Sequence, residues 1–255
     1  MIGRNGDDSF FGGNGTDGVY YIESTASIWA DLLHTSLNTG DAAGDRYDSI
    51  ENLIGSGFND TLVGSNGNNE LYGGEGTDGA YYSGDSAAVH ADLQNSASNT
   101  GTAAGDTYNS IENLIGTSFD DTLSGDSNVN ELWGGIGTDT LTGRGGADRL
   151  YGGSGSDHFQ YNSANETALG AGDTIFDFDA TDNSEVIFLN RLLNGSFNFL
   201  GASSVAFTAT GNTEARFNDA SDLLSIDLNG NGTADMEITL TGVNLSDLGV
   251  NDFDF

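Results

Sequence analysis

The sequence predicts an all-β fold: a right-handed parallel β-roll of 18 residues per coil, closed by a β-rich C-terminal cap. Three observations predict it. Ten nine-residue units share one register, a 61-residue block occurs twice, and the composition changes after Gln160.

Five units run unbroken over Gly116–Gln160, three over Gly55–Tyr81 and two over Gly3–Tyr20. Each opens with Gly, carries Asp or Asn at position 6, and places an apolar residue (small Ala80 in one unit) at position 8. Glycines at positions 1, 2 and 4 permit positive φ, so the first six residues can turn tightly with carbonyls pointing inward. The last three residues suffice for a short strand, with position 8 facing in and positions 7 and 9 facing out. Two units per coil bring turns of one side back every 18 residues. The position-6 side chains Asp8, Asp17, Asp60, Asp78, Asp121, Asp139, Asp148 and Asp157 then approach across gaps lined by carbonyls. Hard oxygens in such number suit Ca²⁺ better than Mg²⁺. Asn69 and Asn130 hold the same position without charge, so their sites are expected to be weaker. Phe58 and Phe119 replace the position-4 glycine.

An ion is also expected on energetic grounds. One buried position-8 side chain contributes about 1.5–3 kcal/mol, whereas ordering nine residues costs on the order of 1–2 kcal/mol each. Two carboxylates about 5 Å apart repel by roughly 3 kcal/mol at an effective dielectric near 20. The sequence therefore predicts a roll that is unstable without its ions.

Composition agrees. The chain has 39 acidic residues against six basic ones, all Arg, for a formal charge of −33. Nucleic acid and anionic membranes are disfavoured as partners because phosphates are repelled. With no Cys, a disulfide framework or thiolate metal site is excluded. The segment MIGRNGDDSF has no apolar core of the signal-peptide kind, and no run is long enough for a membrane span. Met1 and Ile2 fall at positions 8 and 9 of a unit whose turn is missing, as if an upstream domain of the same polypeptide had been cut away.

Residues Gly12–Tyr72 and Gly73–Trp133 are the two copies of the 61-residue block, identical at roughly 35 positions. Each inserts 34 residues, Tyr21–Ile54 and Tyr82–Ile115, before the nine-residue units resume. The stretch Ile28–Leu32 alternates, which predicts a strand with Ile28, Ala30 and Leu32 inward and Trp29 and Asp31 outward. Thirty-four residues is close to two coils of 18, so widened solenoid turns are expected and not separate domains. Residues 1–160 are read as the roll and 161–255 as the cap, with strands expected at Val186–Leu189, Phe197–Leu200, Val205–Phe207, Leu223–Leu228 and Met236–Leu240. The EF-hand-like segment Asp227–Asp235 has Ile238 at position 12 and reads as a hairpin turn.

The consensus GGxGxDxUx, with U apolar, resembles the calcium-binding repeats of RTX proteins. The run DTIFDF at Asp173–Phe178, the segment DLNGNGTADMEI and the ending NDFDF resemble the C-terminal part of serralysin-type metalloproteases. The resemblance implies that carbonyls at positions 2 and 4 of one turn and 1 and 3 of the next complete each cage. On this chain those positions are Thr117, Phe119, Gly135, Gly137, Arg144 and Gly146, with Gly73, Glu75, Gly134, Ile136, Gly143, Gly145, Gly152 and Ser154. Asp173 is expected to close the last site with Asp148. The resemblance further implies a secreted, extracellular bacterial protein recognised by a type I secretion apparatus.

Catalysis is not expected. His34, His90 and His158 are scattered, HExxH is absent, and neither GxSxG nor a Cys nucleophile occurs. The primary reading is a non-enzymatic module that binds several Ca²⁺ ions. The alternative is a carbohydrate-binding adjunct module: Tyr72, Trp133 and Tyr151 stand at outward position 9, and Trp133 and Tyr151 are 18 residues apart, so they are expected to stack. Repeat modules of mannuronan epimerases, which assist polysaccharide binding, are loosely similar.

Overall fold

Position 8 builds the core. Leu62, Leu71, Leu123, Leu132, Leu141 and Phe159 are fully buried, each within a short strand: Thr61–Val63, Glu70–Tyr72, Thr122–Ser124, Glu131–Ile136, Thr140–Thr142 and His158–Tyr161. The computed structural model describes residues 1–181 and 184–255. Among these there is no α-helix, only three-residue 3-10 turns between strands. The chain forms two compact units, Met1–Ser118 and Phe119–Phe255.

In the first unit all strand pairs are parallel. Thr107–Asn109, Glu70–Tyr72, Asn52–Ile54 and Gly18–Tyr20 lie side by side in that order. Asn113–Ile115, Gly79–Tyr81, Thr61–Val63 and Trp29–Asp31 form a second series, and Ser9–Phe11 pairs with Arg46–Asp48. Asn52 faces Glu70 and Thr61 faces Gly79, the 18-residue step of the nine-residue units. Across the insertions the steps grow: Ser9 faces Arg46, Gly18 faces Asn52 and Trp29 faces Thr61. These steps are 37, 34 and 32 residues. Each insertion supplies three strands and enlarges one coil to three sides; it stays within the solenoid.

One correction concerns Asp31, expected outward and in fact buried, like Asp92 in the other copy. The loop after the strand folds back over that face. Leu33 and His34 amides donate to Asp31 Oδ1 at 2.7 Å each, and the Asp31 amide donates to Asn38 Oδ1 at 2.8 Å. The carboxylate caps a turn that would otherwise leave two amides unpaired.

In the second unit the two-sided roll continues with Glu131–Ile136, Arg149–Ser154 and Thr174–Ile175 on one sheet. Thr122–Ser124, Thr140–Thr142, His158–Tyr161 and Val186–Leu189 form the other. The cap closes both open edges. Met236–Leu240 adds to Thr174–Ile175 and Phe253–Asp254 adds to Val186–Leu189. Leu223–Asp227 and Met236–Leu240 form an antiparallel hairpin. Its turn is held by Asp227, whose Oδ1 accepts the Gly230 amide and whose Oδ2 accepts that of Gly232, both at 2.7 Å.

Val205–Phe207 is not a strand. The strand lies instead at Thr213–Asn218, whose buried Ala215 and Phe217 alternate with Glu214 and Arg216. Phe207 packs beneath the Arg216 guanidinium, 4.2 Å from the ring centre. Glu214 is buried and paired with the amide and hydroxyl of Thr208, which is how a charged residue fits inside a strand.

Glycine has two distinct uses in the turns. At positions 2 and 4 the backbone is left-handed, as at Gly135 (φ 116°) and Gly137 (φ 142°). At position 1 no positive φ is involved; the need is space. A Cβ on Gly134 would press on Asp139 Oδ2 and stand 2.6 Å from the Gly152 carbonyl oxygen. Gly145 has only Ser127 backbone atoms near it, at 3.8 Å or beyond. Gly134→Ala should therefore destabilise the calcium-loaded chain by about 1–3 kcal/mol through overpacking. Gly145→Ala should lie within about 1 kcal/mol of the parent. Thermal unfolding of both variants in saturating calcium checks the difference.

Candidate metal sites

One hydrogen bond repeats through the roll: the position-6 amide donates to the carboxylate one coil on. In the second unit Asp121 donates to Asp139 Oδ1 at 2.7 Å and Asp139 to Asp157 Oδ1 at 2.9 Å. On the other side Asn130 donates to Asp148 Oδ1 at 2.8 Å and Asp148 to Asp173 Oδ1 at 2.9 Å. Asp173 thus stands in register with the position-6 residues, although 25 residues, not 18, separate it from Asp148. In the first unit Asp60 donates to Asp78 Oδ1 at 2.7 Å.

Each of these bonds occupies one carboxylate oxygen and, at four of the five carboxylates, the other is buried without a partner. Asp78, Asp139, Asp148 and Asp173 each bury Oδ2 with no hydrogen-bond partner. A buried carboxylate oxygen left unpaired costs on the order of 1–3 kcal/mol or more. Four such aspartates among the described residues of the roll turns point to a cation. Among the described residues no three His, Cys, Asp or Glu side chains converge on one point, so most of an ion's oxygens must come from carbonyls. These are at hand. The carbonyls of Gly143 and Gly152 approach position 1 of the preceding coil, and that of Phe119 approaches Gly137 at position 4. Phe119 thus offers a carbonyl to its gap as glycine would. The Ser154 carbonyl, at position 3, already accepts the Gly137 amide at 2.9 Å. Glu75, Ile136 and Ser154 have exposed side chains and Thr117 a buried one, so these positions can contribute through the backbone.

The electrostatics follow. Burial, reinforced by the charges of Asp157 and Asp121, pushes Asp139 up to about 7 despite the bond from Asp121. Burial, with Asp173 and Asp126 nearby, takes Asp148 to about 8. Asp78 and Asp173 reach about 7, chiefly through burial.

Not every step of the ladder leaves an oxygen free. Asp8 donates to Asp45 Oδ1 at 2.8 Å, and Asp45 Oδ2 accepts the buried Tyr21 hydroxyl at 2.7 Å. Tyr21 and Tyr47 share a hydrogen bond of 2.5 Å. The second copy repeats this: Asn69 donates to Asp106 Oδ1 at 2.9 Å, Tyr82 to Asp106 Oδ2 at 2.9 Å, and Tyr82 meets Tyr108 at 2.5 Å. Asp17 and Asp78 donate to Glu51 and Glu112 Oε2, both at 2.8 Å. Sequence reasoning missed Asp45, Asp106, Glu51 and Glu112, which take the position-6 role inside the insertions; their signal was identity between the two copies. It also missed Asp177, whose two oxygens accept the Gly152 and Gly153 amides at 3.0 and 2.9 Å. Beside neutral Asn130, Arg144 reaches the Gly125 carbonyl at 2.5 Å and brings a fixed positive charge to that turn; its own φ is 68°.

Trp133 and Tyr151 stack at 3.8 Å and 6°, and Phe176 continues the stack on Tyr151 at 4.6 Å and 8°. Both faces of Tyr151 are covered. Tyr72 does not join them: it lies in the first unit, on the strand paired with Asn52–Ile54.

Stacked turns of this kind, with aspartates in register and carbonyls in the gaps, define a calcium-binding β-roll. The RTX calcium-binding nonapeptide repeat model matches residues 1–20. The Peptidase M10 serralysin C terminal model matches residues 39–253, and the chain belongs to that family. No curated protein sequence matches the chain. Among solved structures, the AlgE6R3 subunit of the Azotobacter vinelandii mannuronan C5-epimerase is similar at 24% identity, covering 56% of this chain and 77% of that one, with a TM-score of 0.42. Calcium is therefore the ion these turns take, and the chain is a module of the secreted bacterial class.

Two expectations test this geometry. Asp78, Asp139, Asp148 and Asp173 bind protons more tightly folded than unfolded, so the ion-free fold is stabilised below about pH 4. That stability is lost as pH rises towards 7–8, where the folded-state carboxyls ionise. In EGTA, circular dichroism should show more β-structure at about pH 5.5 than at about pH 8.5, and calcium affinity should fall on acidification as the ion competes with protons. Tyr82→Phe removes a buried donor from Asp106 and should cost about 1–3 kcal/mol. Calorimetric titration should show the same number of bound ions as in the parent.

Proposed function

We propose that this chain is a non-catalytic module that folds on binding several calcium ions and supports type I secretion of a larger bacterial protein. The observation that carries the reading is the set of buried, unpaired Oδ2 atoms of Asp78, Asp139 and Asp148, each folded against the position-1 glycine of a turn. A formal charge of −33 opposes compaction until cations arrive. Each ion present at a hundred times its dissociation constant adds about 2.7 kcal/mol to the folded state. A chain that stays loose where calcium is scarce and folds where it is abundant can be exported unfolded and then trapped outside. The ligands we assign are Asp60, Asp78, Asp121, Asp139, Asp148, Asp157 and Asp173 with the carbonyls of their turns. Asp17 joins them, since its neighbour one coil on is an insertion glutamate as for Asp78; Asp8 and Asn69 are given weaker sites because the carboxylate one coil on is tyrosine-capped, and Asn130 because it carries no charge and Arg144 stands beside it.

The carbohydrate-binding reading draws less support. Sugars stack on free ring faces, and the inner ring of the Trp133–Tyr151–Phe176 row has none.

Circular dichroism across a calcium titration tests the main reading; a chain already folded in excess EGTA at neutral pH would overturn it. Within that experiment Asp139→Ala should raise the calcium midpoint several-fold, because Asp139 stands between Asp121 and Asp157 and faces two gaps. Asn130→Ala removes a neutral ligand from one gap and should shift the midpoint far less. Equal shifts would refute the two-column arrangement.

A further inference from the structure

Both columns of the second unit should end alike, yet only one has an assigned end. Asp173 closes the column that runs through Asn130 and Asp148. The column Asp121–Asp139–Asp157 ends, within the nine-residue units, at Asp157. The next strand on that sheet is Val186–Leu189, with Val186 facing His158. The residue facing Asp157 is therefore Glu185.

Glu185 is 4% exposed, and its Oε1 is buried with no hydrogen-bond partner. Its turn rests on the Gly152–Asp157 turn: Val186 donates to the Asp157 carbonyl at 2.9 Å, and the Ser156 and Ser184 hydroxyls meet at 3.1 Å. The charges that bear on it are all negative, from Asp157, Asp177 and Asp179. Asp177 is held by the amides of Gly152 and Gly153, and Asp179 Oδ1 by the amide and hydroxyl of Thr181. Glu185 accepts the Asp179 amide and keeps Oε1 buried without a partner, as Oδ2 is kept at Asp139, at a position outside any nine-residue unit.

We propose that Glu185 is a calcium ligand and that, with Asp157 and carbonyls of the Gly152–Asp157 turn, it forms one further site at the end of this column. The proposal rests on the calcium-binding reading above.

The test is a calorimetric calcium titration of the full chain and Glu185→Gln. The variant should bind one ion fewer, and its thermal midpoint should rise less steeply with the logarithm of calcium concentration. If the parent binds no calcium, the underlying reading fails. If parent and variant bind equal numbers with equal slopes, this inference alone fails, and Glu185 is a protonated buried acid that Gln replaces. A second measurement does not depend on the variant folding. In the parent labelled with ¹³C at glutamate carboxyls, the Glu185 resonance should move on adding calcium and then stay fixed from about pH 5 to about pH 8. A loaded chain whose Glu185 still titrates in that range would overturn the proposal.

Discussion

The roll depends on one contact, the amide of a position-6 residue donating to the carboxylate one coil further on. It fixes the carboxylate's orientation, as from Asp121 to Asp139 and from Asp148 to Asp173. It thereby commits the second oxygen to the gap. It also explains why position 1 must be glycine, since the carboxylate folds back over that residue, as Asp139 does over Gly134. Strands of three residues centred on one apolar side chain are too short to pay for this burial on their own. Cation, carboxylate, glycine and strand length are one coupled design.

The same unpaired oxygen is handled in different ways along the chain. Between regular coils it faces carbonyls, the arrangement that calls for an ion. In the enlarged coils a tyrosine hydroxyl fills the role, Tyr21 for Asp45 and Tyr82 for Asp106. Asp177 turns both oxygens onto backbone amides. At Asn130 the charge is absent and Arg144 stands nearby. In the reading proposed above the first arrangement binds calcium most strongly, so the coils depend on the ion to different degrees.

The nine-residue frame made much of this readable from sequence. Positions 6 and 8 declared the ladder and the core, and the 18-residue spacing of Trp133 and Tyr151 foretold their stacking. What escaped notice lies where spacing leaves that frame. Asp45, Glu51 and their copies Asp106 and Glu112 occupy position-6 places only because three-sided coils bring them there. Glu185 lies outside every nine-residue unit. Asp31 looked outward by alternation, but a loop supplied amides that alternation cannot foresee. The strand Thr213–Asn218 was hidden by Glu214, whose carboxylate is met by the hydroxyl and amide of Thr208 in the preceding loop.

The unequal steps across the insertions have a consequence for fidelity. Near-identical coils invite misregistration, because a slip by one coil would again place Leu on Leu and Asp on Asp. Steps of 37, 34 and 32 residues on the three sides of an enlarged coil have no such degeneracy. A chain displaced by 18 residues would set Tyr21 and Asp45 against partners that cannot complete their hydrogen bonds. The enlarged coils thus act as index marks along an otherwise repetitive ruler, and they let a monotonous sequence find a single alignment with itself.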